Sequence, residues 1–212
     1  MNFYDKYIKR IIDIVLSGLA IVILIPLWVF LAIAIKIDDP GPVFFKQKRF
    51  AKEGKDGEVR YFNILKYRSM KTSTPKDMPT HMLKNPEQYI TRVGGFLRKT
   101  SLDELPQIFN IFAGHMSIIG PRPALYNQTD LYDERAKYGA NSVKPGLTGW
   151  AQINGRDELE IDVKARFDGE YVKKLSFIMD LRCFFGTVFS VLRQEGVVEG
   201  GTGSMKDKKD DK

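Results

Sequence analysis

The chain of 212 residues contains one cysteine and two histidines. Cys183 has no partner in the sequence, so an internal disulfide is excluded, as expected for a reducing, cytosol-facing domain. His81 and His115 are far apart in the sequence and no cluster of ligand residues surrounds either of them, which argues against a structural zinc site. These absences exclude a disulfide-stabilised module and disfavour a zinc protein.

The sequence also lacks the usual signatures of nucleic-acid binding. Its net charge is +7, but the lysines and arginines are interleaved with acidic residues, and neither a recognition helix nor zinc-finger spacing is visible. An anionic membrane surface therefore explains the positive charge better than a nucleic acid does. The glycine-rich stretch 200–204 lacks the lysine and the following helix of a phosphate loop, which indicates a linker.

A third absence is that of charge between Ile14 and Ile35. As a straight helix these about 22 residues would cover about 33 Å, enough to cross a hydrocarbon core of about 30 Å. Pro26 lies near the middle of the run, so two interpretations remain open. The run is either an ordinary signal anchor or a re-entrant helix that breaks at Pro26 and leaves the membrane on the side it entered. No small-residue cleavage site follows it, which argues against a cleaved signal peptide.

The flanks of this run do not assign its two ends to opposite sides of a membrane. Basic residues occur on both sides: Lys6, Lys9 and Arg10 before the run, and Lys36, Lys46, Lys48 and Arg49 after it. A re-entrant helix agrees with this pattern. Backbone carbonyls released at its break must find donors within the protein, and we expect Ser17 or the packed soluble domain to supply them.

The rest of the sequence predicts an α+β fold that is mainly helical. Removing the membrane segment and the polar tail leaves roughly 160 residues, enough for one domain with a core of ordinary size. We predict a membrane helix over 1–37, a compact soluble domain over 38–198 and a flexible charged tail over 199–212. Within the domain, residues 60–68 are typical of a strand and residues 70–86 of a loop.

Apolar residues recur at helical spacing between Leu175 and Glu195, which predicts a core or interfacial helix. Asp180 and Arg182 interrupt the run too early for a membrane span, and core packing is the favoured interpretation. The positions that carry the pattern are Ile178, Leu181, Phe185, Val188 and Leu192.

The most informative stretch is residues 101–107, Ser-Leu-Asp-Glu-Leu-Pro-Gln. Pro106 belongs in the first turn of a helix, so Asp103 and Glu104 lie at or just before a helix N-terminus, where anions are favoured. We expect the helix to run to about Phe112 and to end at Gly114. A catalytic carboxylate pair remains open, and so do a solvated first turn and a capping box with Ser101 as N-cap, although Pro106 fits the capping box imperfectly.

Basic residues lie on both sides of this acidic pair in the sequence. Lys66 and Arg68 share one face of the predicted strand and could grip a diphosphate, or could simply be solvated. Arg122 stands between Pro121 and Pro123, so its backbone is restricted from both sides. A guanidinium held in this way suits bidentate phosphate binding, although a plain rigid turn is the alternative. Arg156 follows a predicted Pro-Gly turn, short strand and Asn-Gly turn over residues 144–156.

Taken together, these motifs resemble those of the small monotopic phosphoglycosyl transferases, a family of bacterial sugar transferases. The resemblance extends from Lys9 to about Val198. The motifs that carry it are residues 66–70 (Lys-Tyr-Arg-Ser-Met), 101–107, 120–123 (Gly-Pro-Arg-Pro) and 149–156 (Gly-Trp-Ala-Gln-Ile-Asn-Gly-Arg). One departure concerns the membrane helix, because members of this family often have a serine before the helix-breaking proline, where this chain has Ile25.

The resemblance implies a re-entrant membrane helix, a catalytic domain resting on the membrane at the cytoplasmic face of the bacterial plasma membrane, and a cofactor, Mg²⁺. It implies a UDP-sugar donor, a polyprenyl phosphate acceptor and a covalent intermediate on Asp103, with Asp103 or Glu104 as metal ligand. Candidate substrate-binding residues are Lys66, Arg68, Gln107, Arg122 and Arg156. The identity of the sugar, the polymer and the oligomeric state are not predicted.

Two other functions are compatible with the residues. A membrane-tethered module that binds an anionic ligand would keep the basic surface and the lipid-embedded helix, but would not need Asp103. A Mg²⁺-dependent nucleotide-sugar hydrolase would need the metal but no lipid acceptor. Analysis of the reaction products separates all three hypotheses.

Overall fold

The computed structural model describes residues 3–74, 86–155 and 159–192. These residues form a mostly helical α+β fold, as predicted. They group into two compact units, each built from separate stretches of the chain. Of the described residues, the first unit takes those that lie within 1–12, 48–62 and 115–212, and the second takes those within 13–47 and 63–114. The segment boundaries proposed from the sequence, 1–37, 38–198 and 199–212, stay a prediction.

Eight α-helices and four short strands make up the described part of the chain. The order is α1 (Lys9–Ile23), α2 (Ile25–Asp38), β1 (Phe44–Phe50), β2 (Tyr61–Tyr67), α3 (Arg92–Lys99), α4 (Gln107–Ala113), β3 (Ser117–Ile119), α5 (Thr129–Ala136), β4 (Gly146–Thr148), α6 (Trp150–Ile153), α7 (Ile161–Lys173) and α8 (Phe177–Leu192). A π-helical turn (Tyr4–Ile8) precedes α1, and 3₁₀ turns occur at Pro86–Tyr89, Leu102–Glu104 and Ala140–Ser142. Strands β1 and β2 form one two-stranded sheet, and β3 and β4 form another.

The apolar run is broken close to the predicted position. Helices α1 and α2 meet at Leu24 with a bend of 63°, and Pro26 lies in the first turn of α2, where its missing N–H costs little. Among the described residues no single helix has the length and hydropathy of a membrane span. The bent pair Tyr4–Ile23 and Ile25–Asp38 passes that test only when taken together. A straight anchor helix is therefore not what this sequence forms.

The indole of Trp28 supports the break. Its Nε1 donates a hydrogen bond to the Ile21 carbonyl at 3.1 Å, close to the point where the backbone ladder is interrupted. Of the two donors expected, Ser17 or the packed soluble domain, the choice of Ser17 was wrong, since its hydroxyl donates to the carbonyls of Asp13 and Ile14, one turn before Ser17 itself. A helical serine reaches only carbonyls three or four residues back, whereas the indole of Trp28 can reach across the bend.

The second unit packs α2 and α3 around the end of β2. Tyr67 is 2% exposed, its ring stacks on Phe44 at 5.5 Å, and it contacts Trp28 at 6.0 Å. Leu31, Ile35 and Leu97 complete this core. Burial raises the pKa of Tyr67 to about 12, so its hydroxyl stays protonated. The predicted strand over residues 60–68 is confirmed to within one residue at each end.

The first unit is organised by the parallel pair β3 and β4. Ser117 is opposite Gly146, and Ile119 is opposite Thr148. Helices α7 and α8 contribute to the adjoining core, whose buried members are Ile119, Val143, Tyr171, Leu175, Met179 and Cys183.

One face of α8 differs from its prediction. The helix exists as expected, but Ile178, Leu181, Phe185 and Val188 are all exposed. Met179 and Cys183 are the residues that enter the core instead. Because α8 is apolar around most of its circumference, its periodicity could not indicate which stripe would be buried. The interpretation as core packing was therefore wrong for these four residues.

Candidate active site

A strained turn presents the acidic pair. Ser101 has φ of 56°, the left-handed region, and no other non-glycine residue in the described chain has positive φ. A residue in this conformation costs on the order of 1 kcal/mol or more and persists only where the surrounding structure enforces it. The 3₁₀ turn Leu102–Glu104 follows directly, and α4 begins three residues after Glu104. The predicted position of the pair, just before a helix, is confirmed, as is the end of that helix at Gly114.

The capping box considered from the sequence does not form. The hydroxyl of Ser101 makes no capping hydrogen bond, and its backbone N–H donates to the Arg98 carbonyl. Glu104 instead accepts a hydrogen bond from Lys66. The acidic pair is therefore not explained by helix capping.

Lys66 lies against both carboxylates. Its Nζ is 2.8 Å from Oε1 of Glu104 and 4.0 Å from Oδ2 of Asp103. The three side chains are between 13% and 19% exposed, so the cluster is half-buried but reachable from solvent. Lys66 therefore places a positive charge beside both carboxylates of the pair.

Asn110 fixes the alignment of Lys66 with the acidic pair. Its Oδ1 accepts from the N–H of Leu65 at 2.8 Å, and its Nδ2 donates to the carbonyl of Asn63 at 2.8 Å. The amide of this α4 residue thus pairs with the backbone of β2 in the way that a neighbouring strand would. Nothing in the sequence distinguished Asn110, because its role depends on a partner 45 positions away.

The other predicted residues of the second unit lie in different surroundings. Arg68 is 7% exposed, and its Nη1 donates to Oδ2 of Asp39 at 2.8 Å. Its Nη2 contacts the carbonyl of the same residue. Gln107 is 1% exposed, and its Nε2 has no hydrogen-bond acceptor among the described residues. The structure thus brings Lys66, Asp103 and Glu104 together and holds Arg68 at the end of α2.

Arg122 belongs to the first unit, where its turn is held by donors from outside the turn. Gly146 N–H donates to the carbonyl of Pro121 at 2.9 Å. Arg135 Nη1 donates to the carbonyl of Arg122 at 2.9 Å, and Arg49 Nη1 donates to that of Pro123 at 3.0 Å. Three consecutive carbonyls are thus satisfied. These hydrogen bonds agree with the restricted backbone expected at Arg122, and they fit both a phosphate-binding residue and a plain structural turn. Arg156 lies outside the described residues.

Two glycines let β3 and β4 approach closely beside this turn. A Cβ placed on Gly146 would lie 2.1 Å from the backbone nitrogen of Gly120, and a Cβ on Gly120 would lie 2.5 Å from the carbonyl oxygen of Lys144. Both contacts are with backbone, which cannot move aside as a flexible side chain can. The glycines therefore set the position of the Pro-Arg-Pro turn.

The candidate site also fits a magnesium ion. Mg²⁺ is commonly held by one or two carboxylates together with water and substrate phosphate oxygens. The donor set of Asp103 and Glu104 matches that description. Among the described residues, no group of three or more acidic, histidine or cysteine side chains could hold a metal by itself. A metal here would need further oxygens from water or from the substrate.

Comparison with known proteins identifies the family. The bacterial sugar transferase family model matches residues 4–194. The chain is 40% identical over 192 residues to a UDP-glucose:undecaprenyl-phosphate glucose-1-phosphate transferase of Escherichia coli K12, covering 87% of this chain and 40% of that protein. It is 37% identical over 199 residues to the protein of that name from Xanthomonas campestris pv. campestris, covering 91% of this chain and 40% of the relative.

A shorter relative matches along almost its whole length. The exopolysaccharide production protein PSS of Rhizobium leguminosarum bv. phaseoli is 38% identical over 198 residues, which cover 89% of this chain and 96% of that protein. The chain thus spans about two fifths of the length of the two transferases above and nearly all of this one. The chain belongs to the bacterial sugar transferase family, as its motifs predicted.

Proposed function

We propose that this protein transfers glucose 1-phosphate from UDP-glucose to undecaprenyl phosphate, which yields undecaprenyl diphosphate glucose and UMP. The observation that carries the proposal is the half-buried pair Asp103 and Glu104, which follows a strained residue and lies against Lys66. The donor and acceptor are those named for the E. coli and Xanthomonas relatives.

We propose a reaction in two displacements at one phosphorus atom. An oxygen of Asp103 attacks the phosphorus that bears the sugar, the bond from that phosphorus to the bridging oxygen breaks, and UMP leaves. A phosphate oxygen of the lipid then attacks the same phosphorus and releases the Asp103 carboxylate. The intermediate avoids a direct encounter of two anionic substrates and divides one difficult step into two.

In this scheme the residues beside Asp103 help to neutralise the negative charge of the substrate phosphates. Lys66, between the two carboxylates, is positioned to meet a phosphate oxygen as the donor enters, while Glu104 keeps the lysine in place until then. Phosphoryl transfer depends mainly on such positioning and neutralisation. Mg²⁺, held by Asp103 or Glu104, would supply further neutralisation of phosphate charge.

We propose that the protein acts at the cytoplasmic face of the plasma membrane, with α1 and α2 as a re-entrant pair. The exposed apolar side chains support contact with lipid. In α1 and α2 they are Ile11, Ile14, Val15, Leu16, Leu19, Val22, Ile23, Ile25, Val29, Phe30, Ile33 and Ile37. In α8 they include Phe177, Phe184, Phe185 and Phe189, typical of a helix lying in the membrane interface.

Product analysis tests the function. Purified protein with Mg²⁺, UDP-glucose and undecaprenyl phosphate should release UMP and form a lipid-linked diphosphate sugar. Without lipid, a nucleotide-sugar hydrolase would release UMP over many turnovers, the proposed transferase would release at most one UMP per protein, and a binding module would release none. A panel of other UDP-sugars in the same assay tests the choice of glucose.

We expect Arg122→Lys to lower kcat/KM about tenfold or more. We propose that the planar guanidinium of Arg122 binds a phosphate of the donor or of the transition state. Lysine keeps the positive charge but loses the planar fork, and one charge-assisted hydrogen bond contributes roughly 1.5–3 kcal/mol. The measurement is steady-state UMP release, with thermal unfolding as a check on folding. Near-normal kinetics of Arg122→Ala would show that the turn has only a structural role.

We expect the N-terminus and the catalytic domain to share the cytosolic side. In a Cys183→Ser background, Asn2→Cys and Asp56→Cys should both resist a membrane-impermeant thiol reagent in intact cells and react after permeabilisation. Pro26→Ala should straighten the bend and carry some N-termini across the membrane. Labelling of Asn2→Cys in intact cells would contradict the re-entrant topology and leave the Asp103 chemistry intact.

A further inference from the structure

A buried arginine, Arg135, contacts the Pro-Arg-Pro turn of residues 121–123. Arg135 of α5 is 5% exposed, and Asp168 of α7 is 1% exposed. The guanidinium binds one carboxylate oxygen twice, with Nε at 2.7 Å and Nη2 at 2.6 Å from Oδ2 of Asp168. Burial raises the pKa of Asp168, and the Arg135 guanidinium opposes that rise. The pair therefore joins α5 to α7 within the first unit.

The third guanidinium nitrogen of Arg135, Nη1, contacts the Pro-Arg-Pro turn. With Nε and Nη2 engaged by Asp168, Nη1 donates to the backbone carbonyl of Arg122 at 2.9 Å. Prolines on both sides of Arg122 cannot donate, and the carbonyl of Arg122 receives its bond from this side chain. The planar guanidinium makes both contacts in one fixed geometry, which an ammonium group cannot reproduce.

We infer that Arg135 is a positioning residue for Arg122 and that Asp168 orients Arg135 for this task. The inference rests on the proposed function, in which Arg122 binds phosphate. The turn limits the torsions of Arg122, and Arg135 fixes the position of its peptide unit relative to α5 and α7. A displacement of about 1 Å at a substrate-positioning group can cost on the order of 100-fold in rate. Loss of the Arg135 contact therefore reduces turnover even though Arg135 does not touch substrate.

Two variants separate positioning from stability. Arg135→Met alone would leave Asp168 buried and unpaired, so it is combined with Asp168→Leu, because an apolar pair often replaces a buried ion pair without loss of stability. Arg135→Lys keeps a cation opposite Asp168 but lacks the second planar N–H that reaches the Arg122 carbonyl. The control is Arg166→Met, on α7, which removes an exposed guanidinium paired with Asp162.

The test is a double-mutant cycle that combines the Arg135 changes with Arg122→Ala in the full chain in detergent. Two quantities are measured for each variant: kcat/KM for UMP release, and the affinity for UDP-glucose by calorimetry. We expect the Met/Leu pair and Arg135→Lys each to lower kcat/KM about tenfold or more with the melting temperature nearly unchanged. In the Arg122→Ala background the same changes should have an effect of less than about twofold, because the residue they position is gone. Arg166→Met should match the wild type.

Several outcomes overturn the inference. Equal effects of the Arg135 changes with and without Arg122, in both readouts, would show that the ion pair acts independently of the turn. Full activity of Arg122→Ala would show that the Arg122 side chain does not contribute to the reaction, so Arg135 could not act by positioning it. Donor binding without transfer by the wild type would contradict the proposed function, and the affinity cycle would still test the positioning role. A wild-type protein that neither binds nor transfers the donor overturns both.

Discussion

Asp103→Asn should lower the transfer rate by at least about 1,000-fold, a loss typical of removing a covalent nucleophile. Asparagine has nearly the same shape but is a much weaker nucleophile. Folding should be unaffected, because asparagine fills nearly the same volume and Lys66 keeps its 2.8 Å contact with Glu104. The measurements are UMP release and thermal unfolding in the same detergent.

A second measurement follows the intermediate itself. Wild-type protein given UDP-glucose without lipid should carry a glucose phosphate on the peptide that contains Asp103, as detected by mass spectrometry. The matched control is Asp162→Asn, an exposed carboxylate on α7, which should leave activity and adduct unchanged. An active Asp103→Asn enzyme would contradict covalent catalysis by this residue, and would leave the family assignment in place.

Gly146→Ala should destabilise the protein by at least about 3 kcal/mol, the upper end of overpacking costs. The added Cβ would meet the nitrogen of Gly120 at 2.1 Å and its Cα at 2.6 Å. Relief requires β4 to move away from β3, which would also break the hydrogen bond from Gly146 to Pro121. The free energy of unfolding, measured by denaturant titration, should fall, and the activity of the folded fraction should fall with it.

Gly95→Ala provides the matched control. A Cβ there meets nothing closer than 3.8 Å, and the residue lies inside α3, where alanine is favoured over glycine by about 1 kcal/mol. We expect this variant to be as stable as the wild type or more so. A Gly146→Ala protein with wild-type stability would show that the β3 and β4 contact can relax, contrary to the close approach seen here.

Predictions that depended on local backbone chemistry agree with the structure. Pro26 breaks the apolar run within two residues of the expected place, and Gly114 ends α4 with φ of 87°. The acidic pair lies directly before that helix because Pro106 limits where the helix can begin. Proline and glycine act through the backbone torsions of their own and adjacent residues, so their effects can be predicted from the sequence without knowing the fold.

Predictions that required choosing among several similar residues were less successful. The apolar residues of α8 could not indicate which face would be buried, and four of those expected in a core are exposed. Ser17 or the packed soluble domain was expected to support the break in the membrane helix, but Ser17 bonds elsewhere and Trp28 donates to the Ile21 carbonyl near the break. In each case several residues satisfied the same local pattern, and only the packing around them distinguished one from another.

The sequence by itself determined the family, Pro26 as the place for a break in the apolar run, the acidic pair and the restricted Arg122, because motifs and torsional limits operate over a few consecutive residues. The structure then decided between a straight and a bent helix. Only the tertiary structure decided which charges meet. Lys66 reaches Glu104 across 38 positions of the chain, Arg68 turns to Asp39, and Arg135 joins Asp168 to the carbonyl of Arg122. Such contacts depend on where helices and strands are placed by the burial of distant side chains, which no local pattern specifies.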